Sequence, residues 1–253
     1  MINVPTFSTF EHLGSPLSSP SLENLLATAT VLTAVQPIFD LASLECVGHE
    51  LLARARPDSI GIELQSLSQR ADSIGLGVEL SRWLRQDGLR KTASRVEPGR
   101  LFVNTHPKEL DRPGHLLKSL TKSTQRHPGV ELVVEIHPQA ELAAATFSSL
   151  RRNLKALGVG VAFDDFGEGR SRLLELATAP ADYVKFAPEM VRGLDELESC
   201  RKKIVRPMLK FIHSMGAVSI ATGVETPGEM EACRDLGFQR IQGSVVGRPW
   251  IAA

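Results

Sequence analysis

Seven places in this chain put polar side chains where short hydrophobic runs end. They are Glu50 with Arg54 in Glu50-Leu51-Leu52-Ala53-Arg54, then Asn104, Glu135, Asp164-Asp165, Lys185, Glu225 and Gln242. Adjacent carboxylates such as Asp164 and Asp165 repel each other unless a cation or base sits between them. Glu135 follows Leu132-Val133-Val134, so it leaves a buried strand and requires a compensating charge. Lys185 lies inside the apolar run Tyr183-Val184-Lys185-Phe186, where a lone ammonium is costly and a carboxylate partner is expected. Glu50, Asn104, Glu135 and Asp164 together offer oxygen donors and no thiolate, which suits Mg²⁺ or Mn²⁺ rather than structural zinc. A hard cation with nearby acids and a lysine fits phosphodiester hydrolysis by a metal-activated water. Singly, each residue has a plainer reading: Glu50 and Arg54 as a structural ion pair, Asn104 as a turn former, an Asp as a helix cap. The chemical reading rests on the row as a whole.

Such a row needs a scaffold that brings strand ends together. β-rich runs at 31–39, 47–54, 100–105, 131–136, 159–164, 182–186, 217–222 and 240–246 alternate with helical patterns. Leu116, Leu117 and Leu120 mark one helix, Leu142, Phe147, Leu150, Leu154 and Leu157 a second, and Ile204, Met208, Phe211 and Ile212 a third. Gly158 and Gly216 follow two of these as helix stops. Eight strands with interleaved helices imply an α/β fold, a (β/α)8 TIM-like barrel whose strand ends share one mouth. The first two strands are linked by about seven residues, too few for a parallel crossover, so the first strand is expected to be antiparallel. The chain ends soon after the eighth strand, so the eighth helix is missing or truncated.

Residues 1–20 are rich in Ser and Pro and read as a linker or the tail of an upstream segment. A short helix is expected next, with Ser21 as N-cap and Leu22, Leu25 and Leu26 on its apolar side. Lys plus Arg and Asp plus Glu are both 29, which gives no bulk electrostatic reason to bind nucleic acid or a membrane. An aromatic share of 5% argues against a stacking platform for single strands. Cys46, Cys200 and Cys233 are odd in number and lack ligand spacing, which points to a reduced, cytoplasmic setting. No apolar run is long enough to span a membrane.

The row resembles the EAL family, bacterial phosphodiesterases that linearise cyclic di-GMP, over roughly residues 22–250. Val35-Gln36-Pro37-Ile38 is similar to the family's Tyr-Gln-Pro-Ile strand, and Glu50-Leu51-Leu52 to its Glu-Ala-Leu signature with Ala replaced and Arg54 kept. Leu80-Ser81-Arg82-Trp83, Phe102-Val103-Asn104, Val134-Glu135-Ile136, Asp164-Asp165-Phe166-Gly167 and Val184-Lys185 continue the likeness. Gly223-Val224-Glu225-Thr226 and Ile241-Gln242-Gly243 through Gly247-Arg248-Pro249 complete it. The resemblance implies an EAL-like barrel domain over residues 21–253. It implies Glu50, Asn104, Glu135 and Asp164 as metal ligands, Asp165 as a holder of a second metal, and Lys185 as the group that orients or activates water. Arg54 would meet a substrate phosphate. Gln36, Asp165, Glu225 and Gln242 would lie near the nucleotide, with Asp165 and Glu225 also counted, beside Lys185, among the catalytic groups.

The departures cluster around the second metal. Thr222 stands where the family carries the first acid of Ala-Glu-Gly-Val-Glu, and Thr cannot serve as base or metal partner at neutral pH. Pro138 replaces the second acid of Glu-Ile-Thr-Glu, the loop carries Glu168, Arg170 and Arg172, and Lys-Ile-Asp has become Lys185-Phe186-Ala187. His106 and His137, each two residues beyond a ligand candidate, are either replacement ligands or loop histidines bonded to backbone. Three functions follow: a domain that binds cyclic di-GMP with weak or absent hydrolysis to linear pGpG, an active phosphodiesterase, or an interaction module that binds no nucleotide. The intact metal-ligand row and the missing acid favour the first. A homodimer, a protein partner or an upstream sensory domain accompanies this expectation.

Overall fold

Apolar, β-branched sequence builds β1 (Val31–Asp40) and β2 (Cys46–Ala55) in the computed structural model, which describes residues 31–55, 64–97, 99–140, 143–168, 173–196 and 200–252. The link between the strands is a tight turn closed by Asp40, whose carboxylate accepts the Ala42 and Ser43 amides at 3.0 Å each. β1 and β2 pair antiparallel with Gln36 opposite Glu50, as the short connection requires. From β2 the sheet continues parallel through β3 (Arg100–Asn104), β4 (Glu131–Ile136), β5 (Gly160–Phe166), β6 (Tyr183–Phe186), β7 (Val218–Ala221) and β8 (Arg240–Ile241). β8 then pairs antiparallel with β1, which closes an eight-stranded barrel. A ninth strand, β9 (Trp250–Ile251), lies antiparallel against β1 where the eighth helix of a regular barrel would follow.

The helices are α1 (Leu64–Ser73), α2 (Gly77–Thr92), α3 (Pro113–Arg126), α4 (Ala144–Ala156), α5 (Leu173–Thr178), α6 (Pro188–Val191), α7 (Cys200–Ser214) and α8 (Pro227–Leu236). Leu116 and Leu120 of α3, and Phe147, Leu150 and Leu154 of α4, face the barrel and are buried. Gly158 and Gly216 take left-handed φ of 70° and 78°, as the helix-stop reading expects. Leu142, the Ser/Pro-rich start and the expected helix after Ser21 lie outside the described residues.

Two readings are corrected. The last strand was expected over 240–246, but β8 ends at Ile241, because the chain turns back so that the Gly247 amide reaches the Gly243 carbonyl. In α7 the buried row is Val205, Leu209 and Ile212, while Ile204 is 52% exposed. Two apolar rows with four- and three-residue spacing sit side by side on that helix. Periodicity alone could not choose which one faces inward.

The interior of the barrel is layered. Ile38, Phe102, Val133, Ala162, Tyr183 and Ile220 form one apolar layer. Two residues further toward the mouth on the same strands stand Gln36, Asn104, Glu135, Asp164, Lys185 and Thr222. The two-residue period that fills the barrel with hydrocarbon therefore also aims the polar row at one end.

Candidate functional site

Lys185 is the centre of the site. Its ammonium lies 2.5 Å from Glu135 Oε1, 3.0 Å from Glu50 Oε2 and 3.1 Å from Asp164 Oδ1. Burial alone would lower its affinity for a proton, but the three carboxylates outweigh that and hold its pKa well above the ordinary value. Glu135 is fully enclosed. Burial raises its carboxyl pKa, and Glu50 and Asp164 raise it further against the pull of Lys185. Gln242 donates to Glu50 Oε2 at 2.7 Å and approaches Gln36 Oε1 at 3.4 Å, and Gln36 in turn donates to the Gly247 carbonyl. Gln36, Glu50, Glu135, Asp164, Lys185 and Gln242 thus form one connected network.

Adjacent residues of a regular strand point to opposite faces, so both aspartates could not reach the mouth without a local change. β5 supplies it. Phe163 pairs with Val184 and Phe166 with Phe186, so one extra residue bulges out opposite Lys185. Asp165 takes φ 45°, a left-handed conformation that Asp tolerates better than most side chains. Partial burial and the neighbouring Asp164 push the Asp165 pKa up to about 6. His137 Nε2 lies 3.8 Å from Asp165 Oδ2, while its Nδ1 accepts the Gln139 amide.

Asn104 ends β3 level with Glu135, with its side chain exposed to the mouth. Beside it opens a cavity of about 590 Å³ lined by residues that include Arg54, Asp72, Asn104, His106 and His137. Arg54 is exposed and donates to the Ala53 carbonyl. Glu225 stands apart from the lysine network, largely exposed, with its carboxylate 3.4 Å from Arg192. Thr222 occupies the layer of the row, and its hydroxyl donates to the Phe186 carbonyl at 2.7 Å. His106 is engaged on both nitrogens: Nδ1 accepts the Lys108 amide, which leaves the Nε2 proton for Asp72 at 2.8 Å. That is the backbone-bonded loop role, not a ligand role.

Sequence reasoning missed the support behind Asn104. Arg85, only 2% exposed, donates to the Asn104 carbonyl at 3.0 Å and forks onto Glu109 at 3.2 and 2.8 Å. Ser81 adds a 2.8 Å bond to the same carboxylate. The available signal was an arginine one helical turn after Ser81 and one before Leu89, on the buried side of α2. Thr105 also donates to the Glu135 carbonyl, tying β3 to β4 at the mouth.

Among the described residues, no three His, Cys, Asp or Glu side chains are arranged to hold a metal ion. The three central carboxylates are instead gathered on the Lys185 ammonium. The donor set nevertheless fits a hard divalent cation. Three acids against one lysine leave an excess of negative charge, and Glu135 Oε2 is buried without a hydrogen-bond partner.

A barrel closed by an antiparallel first strand, with an acid, amide and lysine row at its mouth, defines the class of protein. The chain belongs to the EAL domain family, whose model matches residues 20–249. It is 30% identical over 230 residues to an uncharacterized protein of Azorhizobium caulinodans, covering 84% of this chain and 30% of that one. It is 28% identical over 186 residues to the bifunctional diguanylate cyclase/cyclic di-GMP phosphodiesterase MucR of Pseudomonas aeruginosa, covering 71% of this chain and 27% of that protein. This chain thus spans less than a third of the length of either relative. The cyclic di-GMP complex of the MucR phosphodiesterase superposes with a TM-score of 0.77 at 26% identity, covering 88% of this chain and 97% of that one. The manganese and cyclic di-GMP complex of Klebsiella pneumoniae BlrP1 shares the fold at TM-score 0.72 and 23% identity, covering 88% of this chain and 56% of that one.

Proposed function

We propose that this chain binds cyclic di-GMP at the barrel mouth and hydrolyses it to linear pGpG weakly or not at all. The observation that carries the reading is a contrast within one layer: the Glu50, Glu135, Asp164 and Lys185 cluster is complete, while Thr222 brings a hydroxyl bound to the Phe186 carbonyl. Support for the ligand comes from MucR, named as a phosphodiesterase of this nucleotide and solved in complex with it.

Mg²⁺ or Mn²⁺ would be held by Glu50, Asn104, Glu135 and Asp164, where, when bound, it would supply Lewis-acid activation of the scissile phosphodiester and its water. Lys185 keeps the acids of the row together and is placed to orient a water. Asp165, re-aimed by the β5 bulge, carries the remaining carboxylate at the mouth. Arg54 offers its guanidinium to a phosphate across the cavity, and Gln36, Glu225 and Gln242 border the nucleotide. The step this chain lacks is proton removal or charged second-cation support by an acid at position 222, since a threonine hydroxyl is uncharged and no base at neutral pH, and this one is turned to the Phe186 carbonyl. The setting proposed is cytoplasmic, with reduced Cys46, Cys200 and Cys233, and among the described residues no helix is long and apolar enough to cross a membrane.

Calorimetric titration of cyclic di-GMP with and without Mg²⁺, run beside chromatographic detection of pGpG, tests the proposal. Binding with little or no product is the expected result. Rapid turnover would make the chain an active phosphodiesterase. No binding at high micromolar nucleotide would leave an interaction module.

A further inference from the structure

Helix α7 turns an unusual face outward. Ile204 is 52% exposed and Pro207 is exposed, while Met208 and Phe211 pack against the core with part of their surface left open, which gives an apolar edge beside the fully buried row. Next to it around the helix run Lys203, Arg206 and Lys210, all exposed, and none makes an ion pair with a described residue. The helix contains no acid at all, in a chain whose acidic and basic residues are equal in number. Arg201, Lys202 and Lys203 crowd its first turn, where the positive end of the helix dipole disfavours cations. Those charges work against the helix that carries them. Arg201 is accounted for by its bond to the Arg192 carbonyl, but the Lys203, Arg206 and Lys210 row is not.

We propose that this face docks an acidic amphipathic segment of a partner protein. Its apolar edge would cover Ile204, Pro207, Met208 and Phe211, and its carboxylates would meet Lys203, Arg206 and Lys210. Charge selects this occupant over two others. An antiparallel twofold pairing of α7 with its own copy would bring the basic row onto itself, and like charges across an interface are costly. The chain's own first 30 residues contain only Glu11 and Glu23 as acids, too few to answer three cations along one edge. The proposal does not rest on nucleotide binding, because no residue of α7 lines the cavity beside Asn104.

The test titrates the full chain with a designed helical peptide carrying leucines along one face and glutamates along the adjoining edge. Backbone-amide shifts and fluorescence anisotropy follow the binding. Shifts centred on residues 200–214 are expected. Ile204→Ser, or Lys203→Glu with Lys210→Glu, should weaken binding about tenfold, the scale of one interface anchor. Thermal melts will show that these exposed substitutions leave the fold intact. A peptide with lysines in place of glutamates should fail on the wild type and bind the charge-reversed variant. Equal binding of both peptides to the wild type, or shifts elsewhere, would overturn the proposal. So would a wild-type dimer dissolved by Ile204→Ser, which would make the face a contact between copies. Binding to phosphatidylglycerol vesicles without binding to the acidic peptide would equally overturn it in favour of a lipid surface.

Discussion

Arg54 reaches the mouth from the exposed end of β2, bonded to a carbonyl on its own strand and therefore available to an incoming anion. A charge-assisted bond to a phosphate contributes about 1.5–3 kcal/mol, so Arg54→Ala should weaken cyclic di-GMP binding by that amount in calorimetry while leaving the melting temperature of the free protein unchanged. Thr222 has the opposite character, since its hydroxyl is already satisfied by Phe186. A positioned acid–base group is worth about 10²–10⁴-fold in rate, so Thr222→Glu should raise pGpG production wherever the other groups are competent. Pro138 is buried in the turn after β4, where the resemblance implies an acid that steadies the double-aspartate loop. If the single substitution gives no gain, the double variant with Pro138→Glu separates a missing acid from a misplaced loop. No gain in either, with nucleotide binding intact, would place the defect in the altered loop itself.

At the scale of single elements, the site rests on pairs the sequence did not disclose. The Arg85–Glu109 fork joins α2 to the turn after β3 and carries the Asn104 carbonyl, so it fixes the end of a strand that borders the large cavity. Removing one partner leaves a buried charge uncompensated, and Glu109→Gln should cost about 3–5 kcal/mol in denaturant unfolding. The sign with pH follows from Glu109. Although burial opposes it, the Arg85 charge and hydrogen bonds hold its folded pKa below the usual 4.5. Its stabilisation is therefore complete above the unfolded value and is lost as pH falls through the folded one, so the variant should flatten the acid limb of the stability profile. The polar row was legible because strands repeat every two residues and apolar runs announce where they end. The β5 bulge was not, since it exists only as a mismatch of register between Phe163–Phe166 and Val184–Phe186. Nor was the inward face of α7, where Val205-Leu209-Ile212 and Ile204-Met208-Phe211 have the same periodicity and only packing against the barrel decides between them.

For the molecule as a whole, closure of the barrel is what creates the site. Glu50 and Gln242 touch across the seam between the hairpin and the last strand, 192 positions apart in sequence. The eight-strand count and the short first link made that closure readable, whereas β9, paired antiparallel with β1, was not read as a strand. Because the row is scattered along the unfolded chain, a nucleotide and cation held as proposed would bind the folded barrel and not its unfolded state. Folding would then be linked to ligand. At a free concentration 100 times its dissociation constant, a ligand adds about 2.7 kcal/mol to stability. At about 2–4 °C per kcal/mol for a domain approaching this size, cyclic di-GMP should raise the melting temperature by roughly 5–11 °C in differential scanning calorimetry. Arg54→Ala, assayed at the same nucleotide concentration, should give a smaller rise in proportion to its weaker binding. Glu135→Gln removes a charge from the proposed cation set but keeps the side-chain shape, so the share of the shift that depends on Mg²⁺ should disappear in that variant. A full shift in the Arg54 variant would place the nucleotide elsewhere than the mouth of the barrel, and an undiminished Mg²⁺ response in Glu135→Gln would place the cation away from the lysine cluster.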